Sequence, residues 1–324
     1  MWGKYLFNMN NDDDIKFLLK RVVRKCIYEI SEKYRSDGGI LKVESKKEAK
    51  NFSRVNLDKG IRIISLRKKI RSEVKNGIYE GNLDLSNLGL TSLEVLGLKD
   101  VIISGYFDCS DNKLTSLEGA PKSVGGIFRC SDNKLTSLEG APESVGGSFY
   151  CHNNKLTSLK GAPERVGGDF SCYNNKLTSL EGAPKSVGGI FRCSNNNLTS
   201  LEGAPERVGG TFYCPGNKLT SLKGGPEYVG GSFDCTHNNL TSLEGAPKSV
   251  GGYFSCSYNI LTSLEGVPKS VGGSFFCDNN NLTSLKGAPK SVGESFDCSS
   301  QRNGVKFSEE DVRNVSDVKE DIAV

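Results

Sequence analysis

The sequence is poor in the residues that carry out chemistry. Its 324 residues include two histidines, one tryptophan and two methionines. It has no G-x-x-x-x-G-K-[ST] loop and no strand–G-x-G-x-x-G–helix, so neither phosphate-binding device is expected. There is no clustered C-x-x-C pair, so no zinc site is expected. No stretch has the apolar length of a membrane span. The start, MWGKYLFNMNNDDD, is short and soon acidic, unlike a secretion signal. Eleven cysteines scattered through a chain of this size therefore predict a soluble, cytoplasmic protein of a reducing compartment, not a disulfide scaffold. No cofactor is expected either.

What the chain has is repetition. Cys109, Cys130, Cys151, Cys172, Cys193, Cys214, Cys235, Cys256, Cys277 and Cys298 are spaced by 21 residues. Each lies in a unit close to V-G-G-x-F-x-C-S-x-N-x-L-T-S-L-x-G-A-P-x-S. Such a unit cannot bury its own apolar face, so the period predicts a stacked solenoid. The 38 glycines recur as Gly-Gly pairs and read as turns.

In the unit around Cys151, Phe149 and Cys151 alternate with Ser148, Tyr150 and His152. That alternation predicts a short strand with Phe and Cys inward. Stacking places Phe on Phe and Cys on Cys, with Leu156, Leu159, Ala162 and Val166 filling the cross-section. Inward cysteines act as small apolar residues. Asn154 and its relatives, from Asn112 to Asn280, are expected to satisfy turn backbone groups between coils. Pro163 and Gly167-Gly168 are expected to bend the chain towards the next strand. Leu83 and Leu85 replace Phe and Cys in a divergent first unit with a three-residue insertion. After Cys298 the pattern breaks at Gln301.

The flanks differ from the repeats. Residues 1–80 hold 20 Lys+Arg against 11 Asp+Glu, a charge of +9, and the remainder is −5. Helices are predicted from Asp14 to about Tyr34 and from about Ile61 to Asn76, with Gly77 as the cap of the second. Arg67-Lys68-Lys69-Arg71 and the first helix fit either contact with nucleic acid or a solvated helix face beside a cap. The repeats do not extend this basic patch at the position that runs Lys122, Glu143, Glu164, Lys185. At the other end, Ser308 as N-cap, Asp311 and a Phe307–Val312 staple predict a short helix covering the stack. The expected organisation is residues 1–80 as a basic, mainly helical cap, 81–303 as about 11 coils, and 304–324 as a C-terminal cap.

The run N-x-L-T-S-L-x-x-A-P-x-x-V followed by a period-two strand resembles leucine-rich repeats. It is most similar to the short type of bacterial effectors, N-x-L-T-x-L-P-x-L-P-x-x-L. The V-G-G-x-F-x-C wording also resembles bacteriophage and viral leucine-rich-repeat proteins. The unit here is one residue longer, and Phe-x-Cys replaces Leu-x-Val. The resemblance implies a concave sheet lined by the outward strand residues. It does not bring ligase activity, since nothing the size of that catalytic domain follows the repeats.

On that face the candidates for partner binding are Tyr106, Arg129, Tyr150, Tyr173, Arg192, Tyr213, Tyr253 and Phe276, because Arg and aromatics are the usual anchors of interfaces. Arg129 should lie beside Tyr150, Arg192 beside Tyr213, and Tyr253 beside Phe276. Units 2 and 5 share I-F-R-C, and units 3 and 6 share F-Y-C, which copying of a three-unit block also explains. The histidines, His152 and His237, sit four coils apart, roughly 19 Å at one strand spacing per coil, so they cannot share a metal or a proton. Without a nucleophile–base pair, no enzyme is expected. The row of Thr115, Thr136 and Thr157 could match a polymer surface, and is also ordinary in short leucine-rich repeats. The expected function is a non-enzymatic binding module for a protein partner, acting on a host factor in the host cytoplasm if viral. A structural or virion-assembly role, and nucleic-acid association through residues 1–80, remain alternatives.

Overall fold

The computed structural model describes residues 62–324. They form a solenoid of short parallel strands, stacked coil on coil in register. One sheet of twelve strands runs from Leu83–Asp84, through strands such as Phe149–Tyr150 and Phe170–Ser171, to Ile322–Ala323. In it Phe170 pairs with Phe149 on one side and Phe191 on the other. The ten phenylalanines from Phe107 to Phe296 are fully buried. Most neighbours stack, as Phe170 and Phe191 do at 5.5 Å between centroids and 8° between planes. Only Phe275 and Phe296, at the end, turn edge-on, at 61°. Such contacts add about 0.5–1.5 kcal/mol each to area burial.

A second sheet is the main departure from the sequence reading, which gave each coil one strand. The valine expected to fill the cross-section does so, and with the residue before it also forms a strand, as in Ser144–Val145, Arg165–Val166 and Ser186–Val187. These pair in parallel from coil to coil. The valine sheet continues by single bridges through Val229, Val250 and Val271. The Gly-Gly pair between the two strands allows the approach of coils. A Cβ on Gly188 would lie 2.1 Å from the Gly167 carbonyl oxygen.

The Asn row does what its chemistry requires. Asn175 donates to the carbonyls of Cys151, Cys172 and Tyr173 and accepts from the Leu156 N–H. Gln301, which the sequence marks as a break, performs the same task with one more methylene. Its amide donates to the Cys277, Cys298 and Ser299 carbonyls, and its oxygen accepts from Leu282 N–H.

Both ends differ in detail from expectation. Among the described residues the second predicted helix covers 62–73 and stops short of Asn76. Asn76 and Gly77 both have positive φ, 51° and 79°, and form the turn of a hairpin joining Val74–Lys75 to Ile78–Tyr79. Asn-Gly favours that turn, so Gly77 is a turn residue and not a helix cap. Ile78–Tyr79 then joins the valine sheet beside Ile102–Ile103. The three extra residues of the first coil fall around a 3-10 turn at Glu94–Leu96. The helix predicted from Asp14 to Tyr34 lies outside the described residues.

At the C-terminus the helix Glu309–Arg313 carries the expected reciprocal cap between Ser308 and Asp311, and Val312 is fully buried. The chain then makes one more coil. Asp317–Val318 pairs with Ser291–Val292, and Ile322–Ala323 with Phe296–Asp297. Val318 and Ile322 keep the four-residue offset of Val292 and Phe296, the one signal of this coil in the sequence.

Candidate functional site

Short strands with inward Phe and Cys push the intervening side chains outward in columns. The central column of the phenylalanine sheet runs Asp108, Arg129, Tyr150, Ser171, Arg192, Tyr213, Asp234, Ser255, Phe276 and Asp297. Register places each beside its neighbour in the next coil. The Arg129 guanidinium lies 5.6 Å from the Tyr150 ring centre and 6.0 Å from that of Tyr106. It also pairs with Asp108 at 3.7 Å. Arg192 lies 5.4 Å from the Tyr213 ring. The hydroxyls of Tyr253 and Tyr213 are 3.4 Å apart across two coils. Tyr253 meets Phe276 edge-on at 6.1 Å.

Seven of the eight candidates thus form two groups: Tyr106, Arg129 and Tyr150, then Arg192, Tyr213, Tyr253 and Phe276. Tyr173 joins neither by a ring contact to them. It stacks instead on His152, at 4.4 Å and 8°, with the His152 Nδ1 3.2 Å from the Ser131 hydroxyl. Ser171, between Tyr150 and Arg192 in its column, is almost fully buried, and its hydroxyl has no hydrogen-bond partner.

Burial pushes the Tyr253 phenol well up, helped by Tyr213 and Asp234. It pulls the His152 imidazole down, with Asp132 opposing and Arg192 adding to the effect. The ten thiols are buried and free. Burial pushes them up strongly, and Cys298 at the end reaches about 12. A thiol held protonated is a poor nucleophile and a poor metal ligand. Several donate instead to a carbonyl of the next coil, as Cys172 does to Arg192 at 3.3 Å. Among the described residues no group of three His, Cys, Asp or Glu is placed to hold a metal.

No protein-family model matches the chain, and no curated protein sequence matches it. Among solved structures it is similar to YopM from Yersinia enterocolitica WA-314. The identity is 15% and the TM-score 0.23, over 91% of this chain and 86% of that one. A superposition that poor supports no argument about role.

Two features of the surface escaped the sequence reading. On the valine sheet, Arg165, Arg207 and Tyr228 stand where most coils have Ser. The Arg207 guanidinium lies 4.7 Å from the Tyr228 ring. They edge a cleft of about 600 Å³ that also touches Gly167, Gly188 and Gly209. In the turn after the phenylalanine strand, His237 and Tyr258 stack at 4.4 Å and 12°. Both hold left-handed backbone, φ 53° and 56°, where other coils use Asp, Asn, Gly or Ser. The departure from those small residues was readable in the sequence. The backbone conformation that makes it costly was not.

Proposed function

We propose that the chain is a non-enzymatic binding module that grips a protein partner on the outward side of the phenylalanine sheet. The observation that carries this reading is the grouping of Arg192, Tyr213, Tyr253 and Phe276 on a rigid parallel sheet. Arg and aromatics combine contact area with directional bonds and dominate interface energetics. The stacked core beneath holds them in place, so little side-chain entropy is lost on binding. The histidines are far apart and the thiols are buried, which leaves binding as the task that the surface chemistry suits. The finer reading, an effector of phage or bacterial origin acting on a host factor in the host cytoplasm, rests on the wording of the repeats alone.

The test is affinity capture with the intact chain beside an Arg192→Ala/Tyr213→Ala variant of unchanged melting behaviour. A partner captured by the intact chain and weakened about tenfold or more in the variant is the expected result. Equal affinity of the two for that partner would remove this face from the proposal.

A further inference from the structure

Three charged columns run along the solenoid, and they differ in one respect. In the column Glu118, Glu139, Lys160, Glu181, Glu202, Lys223, Glu244, Glu265, Lys286, each lysine pairs with a glutamate of an adjacent coil, at 3.0, 3.3 and 2.7 Å. The column Lys122, Glu143, Glu164, Lys185, Glu206, Glu227, Lys248, Lys269, Lys290 has one such pair, Glu164 with Lys185 at 3.3 Å, and mixes four glutamates with five lysines. The third column precedes the Leu-Thr of each coil and reads Lys113, Lys134, Lys155, Lys176, Asn197, Lys218, Asn239, Ile260, Asn281. It contains no acid. All five of its lysines are exposed, and none has an ion-pair or side-chain hydrogen-bond partner among the described residues. Four stand in consecutive coils, roughly 4.8 Å apart at the strand spacing. Such a row repels itself and attracts a polyanion.

We propose that this column is a docking track for single-stranded nucleic acid. Its lysines stand four residues past each Cys, in the turn after the phenylalanine strand, and it does not depend on the protein-binding reading, whose two groups do not include Tyr173. At its start, Arg62 and Lys113 line one cleft of about 640 Å³, together with Asp84 and Asp111. Asp111 and Asp132 stand two residues before Lys113 and Lys134 and offset part of their charge. The matching positions before Lys155, Lys176 and Lys218 are Asn153, Asn174 and Gly216, so the positive charge is least compensated there.

Two aromatic stacks border that stretch, and they favour a nucleic acid over an acidic peptide. His152 and Tyr173 stand three residues before Lys155 and Lys176 in the same coils. The next residue in their column is Ser194, too small to cover the far face of Tyr173. His237 and Tyr258 occupy the two coils after Lys218, and the residue beside His237 in the preceding coil is Gly216, with no side chain to cover its ring. A bulky residue in left-handed backbone is a costly choice, and such strain concentrates where function requires a particular side chain. Lysines beside open aromatic faces are the parts of a single-strand binding surface, one holding phosphates and the other stacking bases.

The experiment measures binding of the full chain to a fluorescein-labelled oligothymidylate by anisotropy across a salt series. Lys155→Glu/Lys176→Glu/Lys218→Glu is compared with Lys248→Glu/Lys269→Glu/Lys290→Glu, which makes the same charge change on exposed lysines of another column. The track variant should bind about tenfold or more weakly, with a salt slope smaller by about 2, from three phosphates at about 0.7 each. The control should change less than about threefold, and Tyr173→Ala should weaken the single strand while leaving a duplex unaffected. Lys→Gln versions replace any charge reversal that disturbs the melting curve. Equal losses in both triple variants, no binding by the intact chain at low salt, or displacement by polyglutamate as readily as by oligothymidylate would each overturn the proposal.

Discussion

Asn175 donates to the backbone carbonyl of Cys172, three residues earlier in its own coil, at 3.0 Å. The same amide reaches back to the Cys151 carbonyl at 3.2 Å, and its oxygen takes the Leu156 N–H at 2.9 Å. One buried side chain thus closes the polar accounts of two coils at the turn. Asn175→Ala leaves a buried N–H without its partner and removes a donor from three carbonyls. The three carbonyls each keep another donor, the Asn154 amide, the Asn196 amide and the Asn153 N–H, so the Leu156 N–H is the group left unsatisfied and the expected loss is about 1–3 kcal/mol. Chemical denaturation of the variant measures it. A loss below about 1 kcal/mol would mean that water replaces the amide freely.

The thiol column makes the fold sensitive to alkali. Burial holds these thiols far above their ordinary value of 9.0. As pH rises past 9, the unfolded chain releases thiol protons while the folded chain keeps them, so unfolding gains free energy. Each thiol contributes a slope of about 1.4 kcal/mol per pH unit, and ten together on the order of 14. The stack should unravel steeply not far above pH 9, by circular dichroism. Below that pH the ten thiols should not react with a disulfide reagent. A circular-dichroism spectrum that stays constant to pH 11 would contradict the dry thiol row.

His152 works in the opposite direction. Its imidazole lies below the ordinary 6.5, chiefly through burial against Tyr173 and its neighbours. As pH falls through 6.5 the unfolded chain takes up the proton before the folded chain does. Stability contributed by neutral His152 is therefore complete above 6.5 and is lost below it, down through the folded value. A proton NMR titration should place its midpoint under 6.5. His152→Gln should flatten the stability profile between about pH 6.5 and 5.5, a window above the carboxylate range.

The turn between the two strands has no room for a methyl group. Gly188→Ala would press a Cβ against the carbonyl oxygen of Gly167, and coils on both sides hold the backbone in place. The expected cost is about 1–3 kcal/mol, the range for overpacking. Gly188 does not hold a positive φ, so the cost is steric, and chemical denaturation of the variant measures it; a loss below about 0.5 kcal/mol would mean that the coils part to admit the methyl group.

The period of 21 residues, the inward Phe and Cys, the Asn row and the Ser308 cap were all legible in the sequence, because each is a local pattern that repeats or follows a known end rule. Neighbours across coils, such as Arg192 and Tyr213, followed once register was assumed. Gln301 was misread as a break because its longer side chain reaches the same carbonyls only when the turn is in place. The valine strand was missed because two residues beside a Gly-Gly pair carry no alternation to read, and become a strand only when the next coil supplies its hydrogen bonds. The final coil was missed for the same reason, since Val318 and Ile322 acquire partners only from Val292 and Phe296.

By itself the sequence determined the architecture, because a solenoid satisfies each coil through a neighbour with the same wording and so needs no long-range information beyond the repeat length. Only the tertiary structure decided which charges are neutralised and which are not. Lys160 and Lys155 lie five residues apart in one coil, yet Lys160 finds Glu139 and Lys155 finds no acid. Pairing depends on what the adjacent coil places alongside, and the linear order does not contain that.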